Sequence, residues 1–372
     1  MQNLNQTVLC ETMELPIYQD GEVIYPIFIR NSFDDITTEL NRLQLSDKRI
    51  CIVTESNVAR YYLDELTNII NGHAKLVVNF VFEAGEEQKN LSTVTKLYEF
   101  LIQSELDRND MLIALGGGVT GDLCGFTAAT YLRGIRFIQV PTSLLAMVDS
   151  SIGGKTGVDL NAYKNMVGAF YQPKSVYINA KCVKTLPRRE YVSGFAEIIK
   201  YGLITDRSFY DWLTMNREKL LEYDEEALNT AIYRSCLNKK LVVEEDPTEQ
   251  GVRALLNLGH TIGHAIEKLM NFAMYHGECV AIGTIAACHL SFKKGLITES
   301  EYNRIKELFL QYELPIQVSG LSAEEILIMT KSDKKMAGGR IRFILIEGIG
   351  NGIIDATITD QELLQTISTI LV

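Results

Sequence analysis

The stretch MLIALGGGVTGDLCGF, residues 111–126, decides how this chain folds. An apolar run of strand length leads without a break into Gly116, Gly117 and Gly118, and a helix-like segment carrying Asp122 follows. Strand, glycine turn and helix in that order let a backbone approach a diphosphate closely and aim amide groups at it. The same glycines would equally serve a tight turn that needs positive φ, and their spacing is not the G-x-G-x-x-G fingerprint. Alone, the stretch is a hint of dinucleotide binding.

The same grammar repeats on either side. Between Ile24 and Asn179, short β-branched runs such as YPIFI, RICIVTES, LVVNFVF and FIQVPTS alternate with amphipathic stretches such as DDITTELNRL, LDELTNII and TVTKLYEFLIQ. That alternation predicts a parallel-type α/β sheet with crossover helices, a nucleotide-binding arrangement. After Pro187 long helical patterns take over, among them EEALNTAIYRSCLNKKLVVEE and ECVAIGTIAACHLSFKKG, until a β-like return at RIRFILIEGIG. At 372 residues the chain exceeds the size at which one core usually stops growing. The expected organisation is an α/β nucleotide-binding domain over residues 1–183 and a mainly α-helical domain over 184–372, packed around a cleft without a Gly/Ser linker.

Composition narrows the function classes. Hydrophobic residues make up 47% of the chain and there are only 7 prolines, which fits a packed globular protein. The net charge of −11 lacks the positive field that nucleic acid or an anionic membrane requires, so neither is expected as a partner. Seven scattered cysteines, an odd number without a C-x-x-C pair, suggest neither a disulfide framework nor a thiolate zinc site, and a reducing cytoplasm follows. No signal-like N-terminus and no run of transmembrane length is evident.

In an acidic protein, local cationic chemistry stands out. AGEEQKN places Glu86 and Lys89 just after an apolar run, where a solvated helix start is the plain alternative. The densest run spans residues 131–174 and sets Arg133, Asp149, Lys155, Lys164 and Asn165 among glycines at 153, 154, 157 and 168. Those glycines allow sharp loops, and the lysines and asparagine offer donors to an anion.

LNLGHTIGHAIE carries His260 and His264 at i and i+4, one face of a helix, yet the glutamate a zincin sets beside its first histidine is absent. His276 lies just past the end of that segment, where a loop could fold it back, and Glu197 in GFAEIIKYG is an acidic residue among apolar neighbours. Two imidazoles and a carboxylate would leave a tetrahedral zinc open to substrate, although spacing leaves open which of these residues touch metal. Lys200 and Lys239 stand nearby in sequence, and on a continuous helix Arg253 and Asn257 would share the face of His260 and His264. Such a face suits an anionic, hydroxylated small molecule beside a metal.

These motifs resemble the 3-dehydroquinate synthases of the sugar-phosphate cyclase superfamily. The likeness runs from about residue 24 to 350 through GGGVTGDLCGF, TYLRG, QVPTSLLAMVDSSIGGKTG, KNMVGAFYQP, TLPRREYVSGFAEIIKYG, RALLNLGHTIGHAIE, HGE and DKK. The resemblance implies a phosphorus–oxygen lyase of the shikimate pathway that uses NAD and one divalent metal, zinc or cobalt, and works as a homodimer. Its substrate would be 3-deoxy-D-arabino-heptulosonate 7-phosphate. By the resemblance, Glu197, His260 and His276 hold the metal, and His264 contacts the substrate phosphate and assists proton transfer. Lys155, Asn165 and one of Lys334 and Lys335 also hold the phosphate, with Arg133 donated across a dimer interface. Lys239, Arg253 and Asn257 hold the carboxylate, while Asp149 and Lys200 line the reacting carbons. NAD contacts are implied for Asn57, Glu86, Lys89, Gly116, Gly117, Gly118, Asp122, Thr142, Ser143, Asp149, Lys164, Thr185 and Glu190. The sequence departs from the family at Glu55, at Thr142-Ser143 in place of two threonines, and at RFILIEGIGNG, which lacks a leucine-proline pair. The alternatives are a 2-deoxy-scyllo-inosose or valiolone synthase, a metal-dependent polyol dehydrogenase, and a non-catalytic relative, which would have lost the metal ligands.

Overall fold

The computed structural model describes residues 13–161, 163–271, 273–332 and 342–372. They form two compact units. One comprises the described residues up to Thr142 with Gly154–Cys182, and the other comprises Ser143–Gly153 with Val183–Val372. Ser143–Gly153 therefore lies inside the sequence of the first unit but packs with the second.

The first unit contains β1 Met13–Gln19, β2 Glu22–Arg30, β3 Arg49–Glu55, β4 Leu76–Phe82, β5 Met111–Gly116, β6 Arg136–Pro141, β7 Lys155–Leu160, β8 Tyr163–Phe170 and β9 Val176–Asn179. Seven of these strands make one sheet in the order β1-β2-β9-β6-β5-β3-β4. Every neighbouring pair runs parallel except β1 and β2. β5 is buried along its whole length, as its unbroken apolar run requires of a strand covered on both faces. Helices α1 Ile36–Arg42, α2 Ser56–Ile70, α3 Leu91–Gln103 and α4 Gly118–Thr130 connect the strands. Val94, Leu97 and Leu101 of α3 and Leu123 and Phe126 of α4 share a core with Leu112 and Ala114 of β5.

Strand order reverses at β3, with β4 on one side and β5 and β6 on the other. A reversal of this kind opens a crevice at the carboxyl ends of the strands, where nucleotides bind in such sheets.

Two features differ from the sequence expectation. The antiparallel edge strand β1 precedes the alternating pattern, joined to β2 by a tight turn with positive φ at Asp20 and Gly21. The glycine-rich segment expected as sharp loops contains instead the antiparallel hairpin β7–β8, with Gly157 opposite Gly168. A side chain at Gly168 would meet the backbone oxygen of Thr156, so the residue is small because two strands approach closely there.

The second unit holds α5 Arg188–Ile204, α6 Arg207–Leu221, α7 Glu225–Glu245, α8 His260–Leu269, α9 His276–Lys293, α10 Glu299–Gln311, α11 Ala323–Ser332 and α12 Asp360–Ser368. The β-like return is a hairpin of β10 Phe343–Ile346 and β11 Gly352–Asp355. Capping chemistry sets the helix starts: α10 and α12 open with Thr298 and Glu301, and with Thr359 and Glu362, bonded reciprocally. The expectation of one continuous helix from Arg253 through His264 is corrected. Val252–Asn257 is a 3₁₀ turn, and Gly259 takes a left-handed conformation (φ 79°) that ends it before α8 begins at His260.

α6 is capped by Asp206, whose Oδ1 accepts from the Phe209 amide at 2.9 Å and whose Oδ2 accepts from Arg234 at 2.8 Å. Asp206→Ala is expected to destabilise the protein by roughly 1–2 kcal/mol in urea unfolding at neutral pH. Burial opposes the charge of Asp206, but Ser208, Arg234 and the Phe209 amide together hold its pKa below the ordinary 3.8. The contribution is therefore complete above that value and is lost as pH falls through the lowered one, so wild-type and variant stabilities converge in acid.

The six described cysteines are buried. Among the described residues no helix is long and apolar enough to cross a membrane.

Candidate active site

In the first unit the expected cofactor residues gather at the carboxyl ends of adjacent parallel strands. Asn57 follows β3, Glu86 and Lys89 follow β4, Gly116, Gly117 and Gly118 end β5 and open α4, and Thr142 follows β6. The Thr142 amide donates to the Gly116 carbonyl at 3.0 Å, tying two of these ends together. None of the three glycines adopts left-handed backbone, so the tight-turn reading does not account for them. Gly116 is small because Thr120 lies against it. Gly117 caps α4 without a side chain, which leaves first-turn amides for an anion. Glu55 is a helix cap, its carboxylate accepting from the amides of Asn57 and Val58.

A charged cluster stands beside the glycine loop. Lys89 is buried, forms an ion pair with Asp122 at 2.6 Å and donates to Asn165 Oδ1 at 2.6 Å, while Lys164 pairs with Glu86 at 3.2 Å. Burial opposes the charge on Lys89, but Asp122 and Glu86 outweigh it and raise its pKa. Asn165 sits on β8 with positive φ, its amide bonded to Asp159. Lys155 is exposed at the start of β7. Arg133 is exposed too, on a turn where Leu132 and Arg133 both take left-handed backbone, an uncommon pairing for non-glycine residues.

The second unit holds the remaining chemistry. α5 is buried over nearly its whole length, and it carries Glu197 and Lys200 as an ion pair three residues apart, both almost inaccessible. α8 begins at His260 and presents His264 one turn later; α9 begins at His276. The three imidazoles converge, with ring centroids 5.2, 5.4 and 5.6 Å apart and a nitrogen of each within 4.8 Å of the others. Glu197 Oε1 lies 3.4 Å from His260 Nε2 and 3.6 Å from His276 Nε2. Gly277 makes this possible, because a side chain there would collide with the backbone of Ser193, one turn before Glu197 on α5. Glu278 reinforces the contact by capping α9 at the Tyr275 amide while pairing with Arg189 of α5.

This donor set fits a divalent metal. Glu197 is wholly buried, and apart from the ion pair with Lys200 neither of its oxygens accepts a hydrogen bond. Burial opposes its charge, yet Lys200 and then His260 hold its pKa down to about 2. Burial pushes His260 down to about 3, which keeps an imidazole lone pair available. The Nδ1 atoms of His260 and His276 face the Leu258 carbonyl and Glu267, so both Nε2 atoms point towards Glu197. His264 is exposed, unlike the other two, and takes the position of a group meeting an incoming molecule.

A second polar group adjoins it. Lys239 donates to the Asp149 carboxylate at 2.7 Å and to its carbonyl at 2.5 Å, and Tyr201 donates to the same carboxylate at 2.9 Å. Burial opposes the charge on Asp149, but Lys239 and Lys200 keep it ionised, its pKa well below the ordinary value. Burial lowers the pKa of Lys239, with Asp149 opposing and Arg253 and Lys200 adding to the depression. Arg253 is buried and bonded to the carbonyls of Pro247 and Gly153, and Asn257 donates to Glu249 at 2.7 Å.

Ser143 caps the turn that leads to Asp149. Thr185 closes a 3₁₀ turn before α5, and Glu190 lies in the first turn of that helix. Lys334 and Lys335 lie outside the described residues. Sequence reasoning gave no role to Tyr201, Glu249 or Glu267. An E seven residues after the first H of HTIGHAIE was the available signal for Glu267, since that spacing returns to one helix face.

The fold is shared with sugar-phosphate cyclases of known structure. The 2-epi-5-epi-valiolone synthase of Streptomyces hygroscopicus subsp. jinggangensis, solved with NAD+ and Zn2+, superposes with a TM-score of 0.87 at 25% identity over 96% of this chain and 99% of that one. A 2-deoxy-scyllo-inosose synthase complexed with carbaglucose-6-phosphate, NAD+ and Co2+ gives 0.88 at 25% identity over 96% and 100%. Profiles of the 3-dehydroquinate synthase N-terminal and C-terminal domains match residues 79–193 and 194–336. A 3-dehydroquinate synthase of Acetivibrio thermocellus is 43% identical over 343 residues, 92% of this chain and 95% of its own. The chain belongs to the 3-dehydroquinate synthase family.

Proposed function

We propose that this protein is a 3-dehydroquinate synthase, a lyase converting 3-deoxy-D-arabino-heptulosonate 7-phosphate to 3-dehydroquinate and inorganic phosphate in the shikimate pathway. The observation that carries the reading is the convergence of the buried Glu197 carboxylate with the Nε2 atoms of His260 and His276, in a chain matched to that family over both halves. The first unit is the NAD-binding domain and the second binds metal and substrate. Cytoplasmic location and a homodimer, with Arg133 supplied by a second copy, belong to the same proposal.

Glu197, His260 and His276 would hold a divalent cation, which would supply acidification of a substrate hydroxyl, and bound NAD would supply a reversible hydride acceptor, the chemistry that loss of phosphate by β-elimination and aldol ring closure require. Asp149, kept ionised by Lys239 and Lys200, accepts a hydrogen bond from a substrate hydroxyl and fixes its orientation. Lys239, Arg253 and Asn257 hold the carboxylate. His264, exposed beside the other two imidazoles, donates to the phosphate and moves a proton at that end of the molecule. Lys155 and Asn165 of the first unit are phosphate donors, with one of Lys334 and Lys335. In the first unit Asn57, Glu86, Lys89, Gly116, Gly117, Gly118, Asp122, Thr142 and Lys164 contact NAD; Ser143, Asp149, Thr185 and Glu190 complete that set. About three negative charges on a phosphorylated acid account for this many cations in a chain of net charge −11.

The test is incubation of the metal-loaded protein with NAD and 3-deoxy-D-arabino-heptulosonate 7-phosphate, following phosphate and reduced NAD together. Stoichiometric phosphate without net reduced NAD is expected. Steady accumulation of reduced NAD from a polyol would assign the chain to the dehydrogenases, and cyclisation only of a substrate without a carboxylate would assign it to the inosose type.

A further inference from the structure

We propose that Glu267 is a positioning residue for the metal centre, holding His276 so that its Nε2 faces Glu197 and His260. The inference rests on the reading of Glu197, His260 and His276 as metal ligands.

His260, His264 and Glu267 fall at i, i+4 and i+7 on α8 and so form one stripe of that helix. The stripe has two jobs. Its first residue points Nε2 at Glu197, while its last, only 4% exposed, accepts from His276 Nδ1 at 3.4 Å on its Oε2. A carboxylate is costly to bury, and this one sits on the face of α8 turned towards α9. Placed there it does for His276 what the Leu258 carbonyl, 3.1 Å from Nδ1, does for His260: it fixes which ring nitrogen is protonated and how the ring is turned. The two acceptors differ in charge. A neutral carbonyl only orients His260, whereas the Glu267 carboxylate also makes the His276 imidazole a stronger donor. His260 and His276 each begin a helix, so neither ring is held by a preceding turn of its own helix and each depends on the acceptor at its Nδ1.

Zinc affinity of Glu267→Gln and Glu267→Ala, measured by competition with a chromogenic chelator, and the visible spectrum of the cobalt-substituted proteins test the assignment without recourse to turnover. Glu267→Gln keeps the volume and an accepting oxygen but loses the charge, and it is expected to bind zinc about 10-fold more weakly; Glu267→Ala loses both and is expected to approach 100-fold. A shift in the cobalt spectrum accompanies the loss, which a purely structural role for Glu267 would not produce. Wild-type affinity and an unchanged cobalt spectrum in Glu267→Gln overturn the proposal even if Glu267→Ala fails to fold. His276→Ala is the control: if it retains wild-type zinc affinity, the reading of the metal site fails, and not the role of Glu267 within it.

Discussion

His260→Ala is expected to emerge from purification without metal and without measurable turnover, whereas His264→Ala keeps a full equivalent of metal and loses roughly 10²–10⁴-fold in kcat. Elemental analysis and phosphate release, measured on the same preparations, separate the two. The expectation follows from how differently the rings are placed one turn apart on α8. His260 is largely enclosed, has Nδ1 against the Leu258 carbonyl and presents Nε2 to a buried carboxylate. His264 is exposed. All three imidazoles lie close enough to share an ion, so geometry alone would admit His260, His264 and His276 as the ligand set. The chemistry of Glu197 argues otherwise. Apart from the ion pair of its Oε2 with Lys200, this wholly buried carboxylate accepts no hydrogen bond, which leaves Oε1, facing the Nε2 atoms of His260 and His276, to be satisfied by a bound cation, while an exposed imidazole has water. If His264→Ala also lost its metal, the division of labour on this helix would be wrong.

Much of this was legible before any coordinates. The unbroken apolar run of residues 111–115 reads as a buried strand, and β5 is buried throughout. The alternation of β-branched runs with amphipathic stretches reads as a parallel-type sheet, and six of the seven strands of the main sheet pair in parallel. What escaped the sequence shares a physical cause, namely that the deciding partner lies far along the chain. Gly157 and Gly168 look like loop residues until they are set opposite each other in β7 and β8. The helical spacing of Arg253, Asn257 and His260 looked continuous because nothing local announces that Gly259 takes left-handed backbone under the close approach of Thr284. Glu197 was legible as an inward-facing acid, but its meeting with His276 depends on the contact of Gly277 with Ser193.

Lys89→Met should cost roughly 3–5 kcal/mol of stability and most of the affinity for NAD. The ammonium of Lys89 is buried between Asp122 and Asn165, and removing it leaves the Asp122 carboxylate enclosed without its counter-charge. Urea unfolding measures the first effect and calorimetric titration with NAD the second. Adding Asp122→Asn to the same chain removes the stranded charge, so most of the lost stability returns while NAD binding does not. Recovery of both would mean that Lys89 serves the fold alone, and recovery of neither would mean that its contact with Asn165 outweighs the ion pair.

The path of the chain between the two units has a consequence for anyone who would cut or recombine it. Because Ser143–Gly153 packs with the helices, the helical unit is discontinuous in sequence, and the covalent chain passes from one unit to the other three times. A gene split at residue 183 would yield a helical fragment lacking Asp149, with Lys239 and Tyr201 left facing the space of their missing partner. Grafting the helical unit of a relative onto this α/β unit therefore requires exchanging two separate stretches of sequence. A single crossover near residue 183 would assemble the chemistry of one parent around the aspartate of the other.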